Sequence, residues 1–102
     1  MLVSLPCGTA MKTILMKLKV TVDPNPFTSE LVITIHGHFA MNIVIRLTNR
    51  AGTAIRIIGY TLGNGENKVI IGNLKRYVIG DYYLEIKLLN GDLLETINLV
   101  KN

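Results

Sequence analysis

The strongest constraint in this chain is a period of two. In "ILMKLKVTV", residues 14 to 22, Met16, Leu18, Val20 and Val22 fall on one face, and Lys17, Lys19 and Thr21 on the other. Successive side chains of a strand point to opposite faces, so this alternation predicts a strand with one side buried and the other wet. It returns at Leu31, Ile33 and Ile35, and again at Ile43, Ile45 and Leu47. "TAIRIIGYT" predicts a strand with Ile55 and Ile57 inward and Arg56 outward. A short run is centred on Val69 and Ile71, and "DYYLEIKLL" sets Tyr82, Leu84, Ile86 and Leu88 against Tyr83, Glu85 and Lys87. "DLLETINLVK" pairs back as the last strand. Turn signals separate these runs: "DPNP", "GH", "NRAG", "GNG" and Asn90-Gly91. About seven short strands spaced roughly eight to twelve residues apart predict an all-β sandwich. Each sheet has one apolar face, so two sheets must close over a shared core; a closed barrel is the alternative. No stretch shows the period of a helix.

A chain of 102 residues is one domain rather than two. Residues 1–13 have no clean period, and Pro6 and Gly8 interrupt them. They are expected to form a loosely ordered N-terminal arm, with the sandwich spanning 14–102. Apolar residues make up 49% of the chain and charged residues only 18%, which argues against disorder and leaves apolar surface to spare. Such a surplus suits a protein-binding face or a homodimer formed through an exposed sheet edge. The net charge of +4 is scattered along the chain. Without a basic cluster and interleaved stacking aromatics, no nucleic-acid partner is expected. No apolar run has the length of a membrane span, so membrane insertion is not expected. Lysines interrupt the first twenty residues, which therefore do not read as a secretory signal. Cys7 is the single cysteine, and no internal disulfide can form.

Residues that carry chemistry are sparse. His36 and His38 stand at i and i+2, the spacing that would begin a metal site on a strand. Gly37 between them favours a turn, no further ligand is nominated, and they read as polar turn residues. The acids are single and dispersed, and neither Ser4 nor Ser29 sits in a nucleophile elbow. The glycines punctuate turns and form no phosphate-cradling loop. No catalytic, metal or cofactor site is therefore expected, and the chain does not read as an enzyme. Tyr60, Tyr77 and Tyr83 would offer a sugar platform only if they were exposed together.

Three motifs occur in order. "VDPNPF" precedes a strand, "NRAGTAI" passes through a turn at Gly52, and the C-terminal stretch has a Gly-x-Tyr-x-Leu-x-Ile pattern at Gly80, Tyr82, Leu84 and Ile86. That stretch continues through Asn90-Gly91 to a short strand ending in a lysine. Taken together, over about residues 18 to 102, these motifs resemble the type A C-terminal sorting domain of the type IX secretion system of Bacteroidota. The resemblance implies a seven-stranded immunoglobulin-like antiparallel β-sandwich that performs no chemistry. It implies a role as an address, recognised by the outer-membrane secretion translocon and removed by a sortase-like peptidase. An attached cargo would then pass through the periplasm to be secreted or displayed on the cell surface. The sequence shows no export signal of its own, so export is expected to depend on that cargo.

The resemblance places partner recognition at the C-terminal end, at Leu99, Val100 and Lys101. The other motif residues have physical reasons to be where they are. Pro24 and Pro26 lack a backbone N–H and fix φ, which stiffens Asn25 between them and stops the strand. That corner is expected to carry the chain from one sheet to the other, with Phe27 plugging the end of the sandwich. Gly80 is expected to permit a turn before the strand of Tyr82. Asn90 and Gly91 are expected to adopt φ > 0 and to set the register of the last hairpin. An immunoglobulin-like adhesion or carbohydrate-binding module and a structural self-associating β module are the competing functions.

Overall fold

A computed structural model describes residues 18–102, so the N-terminal arm, Cys7, Met16 and Lys17 lie outside the described residues. Among the described residues there are seven strands and no helix. They are β1 (Lys19–Asp23), β2 (Leu31–Gly37), β3 (Met41–Asn49), β4 (Ala54–Leu62), β5 (Gly65–Ile71), β6 (Gly80–Leu88) and β7 (Leu93–Lys101). Two antiparallel sheets form, ordered β1-β2-β5 and β4-β3-β6-β7. This is an immunoglobulin-like sandwich of three strands on four. The fourth strand pairs with the third, where the constant-type order places it in the sheet of the first, second and fifth.

The alternating residues meet between the sheets. Leu31, Ile33, Ile35, Val69 and Ile71 come from one sheet, and Ile43, Ile45, Leu47, Leu84, Ile86 and Leu99 from the other; all are buried. Val20 and Val22 pack against this core at its edge. On the outer face of the larger sheet, Arg46 on β3 stands opposite Glu85 on β6. The guanidinium lies 2.8 Å from the carboxylate.

Three expectations need correction. First, the Pro24–Glu30 corner does not change sheets. It joins β1 to β2, which pair within one sheet. The corner instead leans out to bond with β7 of the opposite sheet, so it links the sheets while both of its own strands stay in one.

Second, Ile55 packs against the core as expected, but the phase of β4 inverts from Arg56 onward. Ile58 stands opposite the inward Ile45, and Arg56 opposite the inward Leu47. Arg56 therefore faces the core side and Ile57 faces solvent, 64% exposed. The register shift between Leu47 and Thr48 supplies the reason. A bulge adds one residue, and one residue moves every later side chain to the other face.

Third, Gly91 has φ of 98°, but Asn90 does not lie at positive φ. The Gly91 N–H donates to the carbonyl of Leu88, and the Leu88 N–H donates to Asp92. This is the three-residue loop that closes on a glycine bulge, not the two-residue turn that needs positive φ twice. The Asn90 side chain accepts from the Asp92 N–H at 2.9 Å, as an Asx turn does. The β3–β4 turn has the same form. There Gly52, at φ of 90°, donates to Asn49, and the Asn49 side chain accepts from Ala51 and Thr53.

The flank where β4 and β5 approach is closed by side chains. Nη1 of Arg56 donates to the carbonyl of Gly72 at 2.8 Å and Nη2 to that of Asn73 at 3.1 Å. Leu74 is fully buried beneath that connection. Its N–H donates to the carbonyl of Ser29. At the pole near the β4–β5 turn, Asn67 is buried inside the sandwich. It donates to the carbonyls of Ile35, Gly63 and Gly65 and accepts from the Gly63 N–H. One amide thereby ties the β4–β5 turn to β2, and its own buried polar atoms are satisfied in doing so.

Candidate functional site

The fold brings together the two motif regions that lie farthest apart in sequence. Phe27 forms an isolated parallel bridge with Lys101. Its N–H donates to the Val100 carbonyl at 2.9 Å, and its carbonyl accepts from the Asn102 N–H at 2.9 Å. Asn25 clasps the same strand two residues earlier. Its Nδ2 donates to the carbonyl of Asn98 at 3.2 Å, and its Oδ1 accepts from the Val100 N–H at 3.0 Å. With the prolines stiffening the backbone on either side of Asn25, the corner covers the free edge of β7 as a short extra strand. An uncovered edge would present those N–H and C=O groups to any passing chain.

Beneath the corner the Phe27 ring is buried. It meets the Tyr82 ring edge-on, with centroids 5.8 Å apart and planes at 69°. Such a pair contributes about 0.5–1.5 kcal/mol beyond its buried area. The Tyr82 hydroxyl donates to the Val78 carbonyl four residues upstream, at 2.6 Å. This is the tyrosine-corner arrangement, which ties the connection into β6 down onto the core. Burial pushes the Tyr82 phenol above its ordinary range, with a smaller contribution from Tyr77. Gly80 opens β6 at φ of 137°, a conformation that side chains avoid, and stands opposite Lys101.

The candidate recognition residues therefore divide. Leu99 lies in the core and Lys101 is turned inward, its Nζ 3.2 Å from the carbonyl of Asn102. Only Val100 offers its side chain to solvent, at 43% exposure. Two residues the sequence did not single out extend this surface. Val78 and Ile79 are exposed just before Gly80. With Asn49, Arg50, Ala51 and Tyr82 they line a groove of about 270 Å³. Two adjacent apolar residues between a connection and a strand were the available signal, but "YVIG" carries no alternation to say which way they point. The exposed Val78 and Ile79 and the Arg50 guanidinium thus lie at one groove, beside a strand edge that the corner covers.

The other sequence candidates stay apart. His36 and His38 are exposed at the opposite end, and no group of three or more His, Cys, Asp or Glu is placed to hold a metal among the described residues. Tyr60 and Tyr77 pack partly against the core, whereas Tyr83 lies on the outer face of β6 beside Arg46 and Glu85, so the three share no platform. No protein-family model matches the chain, and comparison with curated proteins found no significant relative.

Proposed function

We propose that this domain is a non-catalytic sorting module, recognised at its Phe27–Val100 end by type IX secretion machinery that directs an attached cargo to the cell surface. What supports the reading is the convergence of "DPNPF" with the end of β7. The corner of residues 24–27 and the end of β7 are hydrogen-bonded together, so a receptor that reads the C-terminal strand reads a folded corner and not a loose tail. Val100 and the neighbouring Val78 and Ile79 supply its exposed apolar contacts.

The test is a reporter fused ahead of residues 14–102 in a host with this secretion system. Surface display is expected for the parent domain and is expected to fall with Val100→Asp, a change that leaves the core untouched. Display that survives both Val100→Asp and deletion of 99–102 overturns the reading. Loss with the deletion alone assigns the requirement to the fold and not to Val100.

A second reading, self-association, is favoured by β4. It is an edge strand of nine residues with exposed Ile57 near its centre. Its only charge, Arg56, is tied to the Gly72–Asn73 backbone. Of the other edges, β1 is short and ends in charges, β5 exposes Glu66 and Lys68, and β7 is partly covered. Natural edges are protected by such devices, and β4 has only the bulge near its Ala54 end. A dimer by light scattering that Ile57→Lys converts to monomer supports this reading; a monomer at high concentration removes it.

A further inference from the structure

The β5–β6 connection holds a second feature, separate from the sorting surface and independent of that reading. Arg56, Asn73, Lys75 and Arg76 line a concavity of about 360 Å³. Three of those four residues are cations, and none is an acid. Among the described residues the ion pairs are Arg46–Glu85 and Lys68–Glu66, so none of the three cations has a carboxylate partner. Like charges held within a Debye length of one another, about 8 Å at physiological salt, repel unless something neutralises them.

Two of the three cations are gathered around one ring. Arg56 is half-buried and held by two backbone carbonyls. Its guanidinium carbon lies 5.5 Å from the centroid of the Tyr77 ring, and that of Arg76 lies 5.2 Å from it. The ring face offsets part of the positive charge and orients both guanidiniums. Arg76 also donates to the Tyr77 hydroxyl at 3.3 Å. That hydrogen bond, with the field of Arg56, holds the Tyr77 phenol below its ordinary range. The positive field is thus felt by the one titratable reporter beside it.

We propose that the concavity formed by Arg56, Asn73, Lys75 and Arg76 binds a phosphate-type oxyanion, carried by a small phosphorylated molecule or by a lipid headgroup. The Arg76 guanidinium can offer paired N–H groups to a phosphoryl or sulfuryl group, Arg56 adds its positive charge while its fork holds the Gly72 and Asn73 carbonyls, and a lysine adds a mobile point charge. The volume falls within the range of small-ligand sites. Because the concavity is open, binding depends on charge and is salt-sensitive.

The experiment titrates the folded domain with inorganic phosphate against chloride at constant ionic strength. It follows the amide resonances of residues 73–77 and the ionisation of Tyr77. Saturable shifts are expected, together with a Tyr77 ionisation that moves back up as the anion cancels the field of the arginines. Lys75→Gln and Arg76→Gln are each expected to weaken binding about two- to fivefold, the size of an exposed charge interaction. Lys87→Gln, on β6 and outside the concavity, is expected to leave it unchanged. Vesicles of phosphatidylcholine with and without phosphatidic acid distinguish the sources. Retention on the anionic vesicles, lost in the Lys75→Gln/Arg76→Gln double variant, assigns a lipid headgroup. Saturable phosphate binding without vesicle retention assigns a soluble phosphorylated ligand. Shifts that fail to saturate, or that Lys87→Gln weakens as much as Arg76→Gln does, are general counter-ion screening and overturn the proposal.

Discussion

The two flanks of the sandwich are closed by different means. Where β1 and β7 approach, the seal is main chain: Phe27 bridges Val100 and Asn102, and the Asn25 amide clasps the strand beside it. Where β4 and β5 approach, it is a side chain: one guanidinium spans from β4 to the carbonyls that follow β5. A backbone seal needs a particular chain shape and so leaves a motif in the sequence. A side-chain seal needs only a residue long enough to reach, and leaves none. The first flank can be recognised by eye, whereas the second emerges only once the register of β4 is known.

This contrast can be broken from either side. Phe27→Ala should have the largest effect, a loss of about 3–5 kcal/mol in denaturant unfolding, because it leaves a cavity beneath the backbone seal and removes the partner of Tyr82. If the loss is under about 1 kcal/mol, Phe27 is not the anchor of that flank. Arg56→Ala should cost less, about 1–2 kcal/mol, since the freed carbonyls of Gly72 and Asn73 can be partly hydrated. Arg56→Lys should recover only part of that loss, because an ammonium cannot reproduce the fork.

Tyr82→Phe should cost about 1 kcal/mol at neutral pH, through the lost bond to Val78. It also has an alkaline signature. Burial raises the Tyr82 phenol in the folded state, so folding holds its proton more tightly than the unfolded chain does. The stability this contributes is present below about pH 10, the ordinary tyrosine value, and is lost as pH rises through and beyond it. Tyr77, lowered chiefly by the Arg76 hydrogen bond, works in the opposite sense. Stability measured from pH 9 to 11 should therefore fall less steeply in Tyr82→Phe than in the parent. The smallest effect belongs to Asn25→Ala, about 0.5–1 kcal/mol at an exposed position, seen best as faster hydrogen exchange at the Val100 amide.

Legibility followed the same division. Strand alternation identified the inward residues of β1, β2, β3, β5 and β6 because one face of each meets the core. It failed at β4, where a single bulged residue reversed the phase, and bulges have no reliable sequence signature. "DPNPF" announced a corner but not its destination, since proline chemistry fixes local shape and not which distant strand receives it. The Asn90-Gly91 hairpin was correctly located, yet loop length, which depends on the strands, decided its turn type. Leu99 and Lys101 alternate with Val100, so period two alone would have turned them inward. The arginine–tyrosine cluster was invisible because Arg56 and Arg76 lie twenty positions apart.

The clasp at Asn25 has a consequence for when the domain can form during synthesis. Its partners Asn98 and Val100 lie 73 and 75 residues downstream. Those bonds, and the burial of Phe27 beneath them, must wait until the last strand has left the ribosome. Contacts of such sequence separation form slowly because the intervening chain must first be gathered in. Through most of its translation the chain has no means of sealing this flank, and completion of the fold is timed to the arrival of β7.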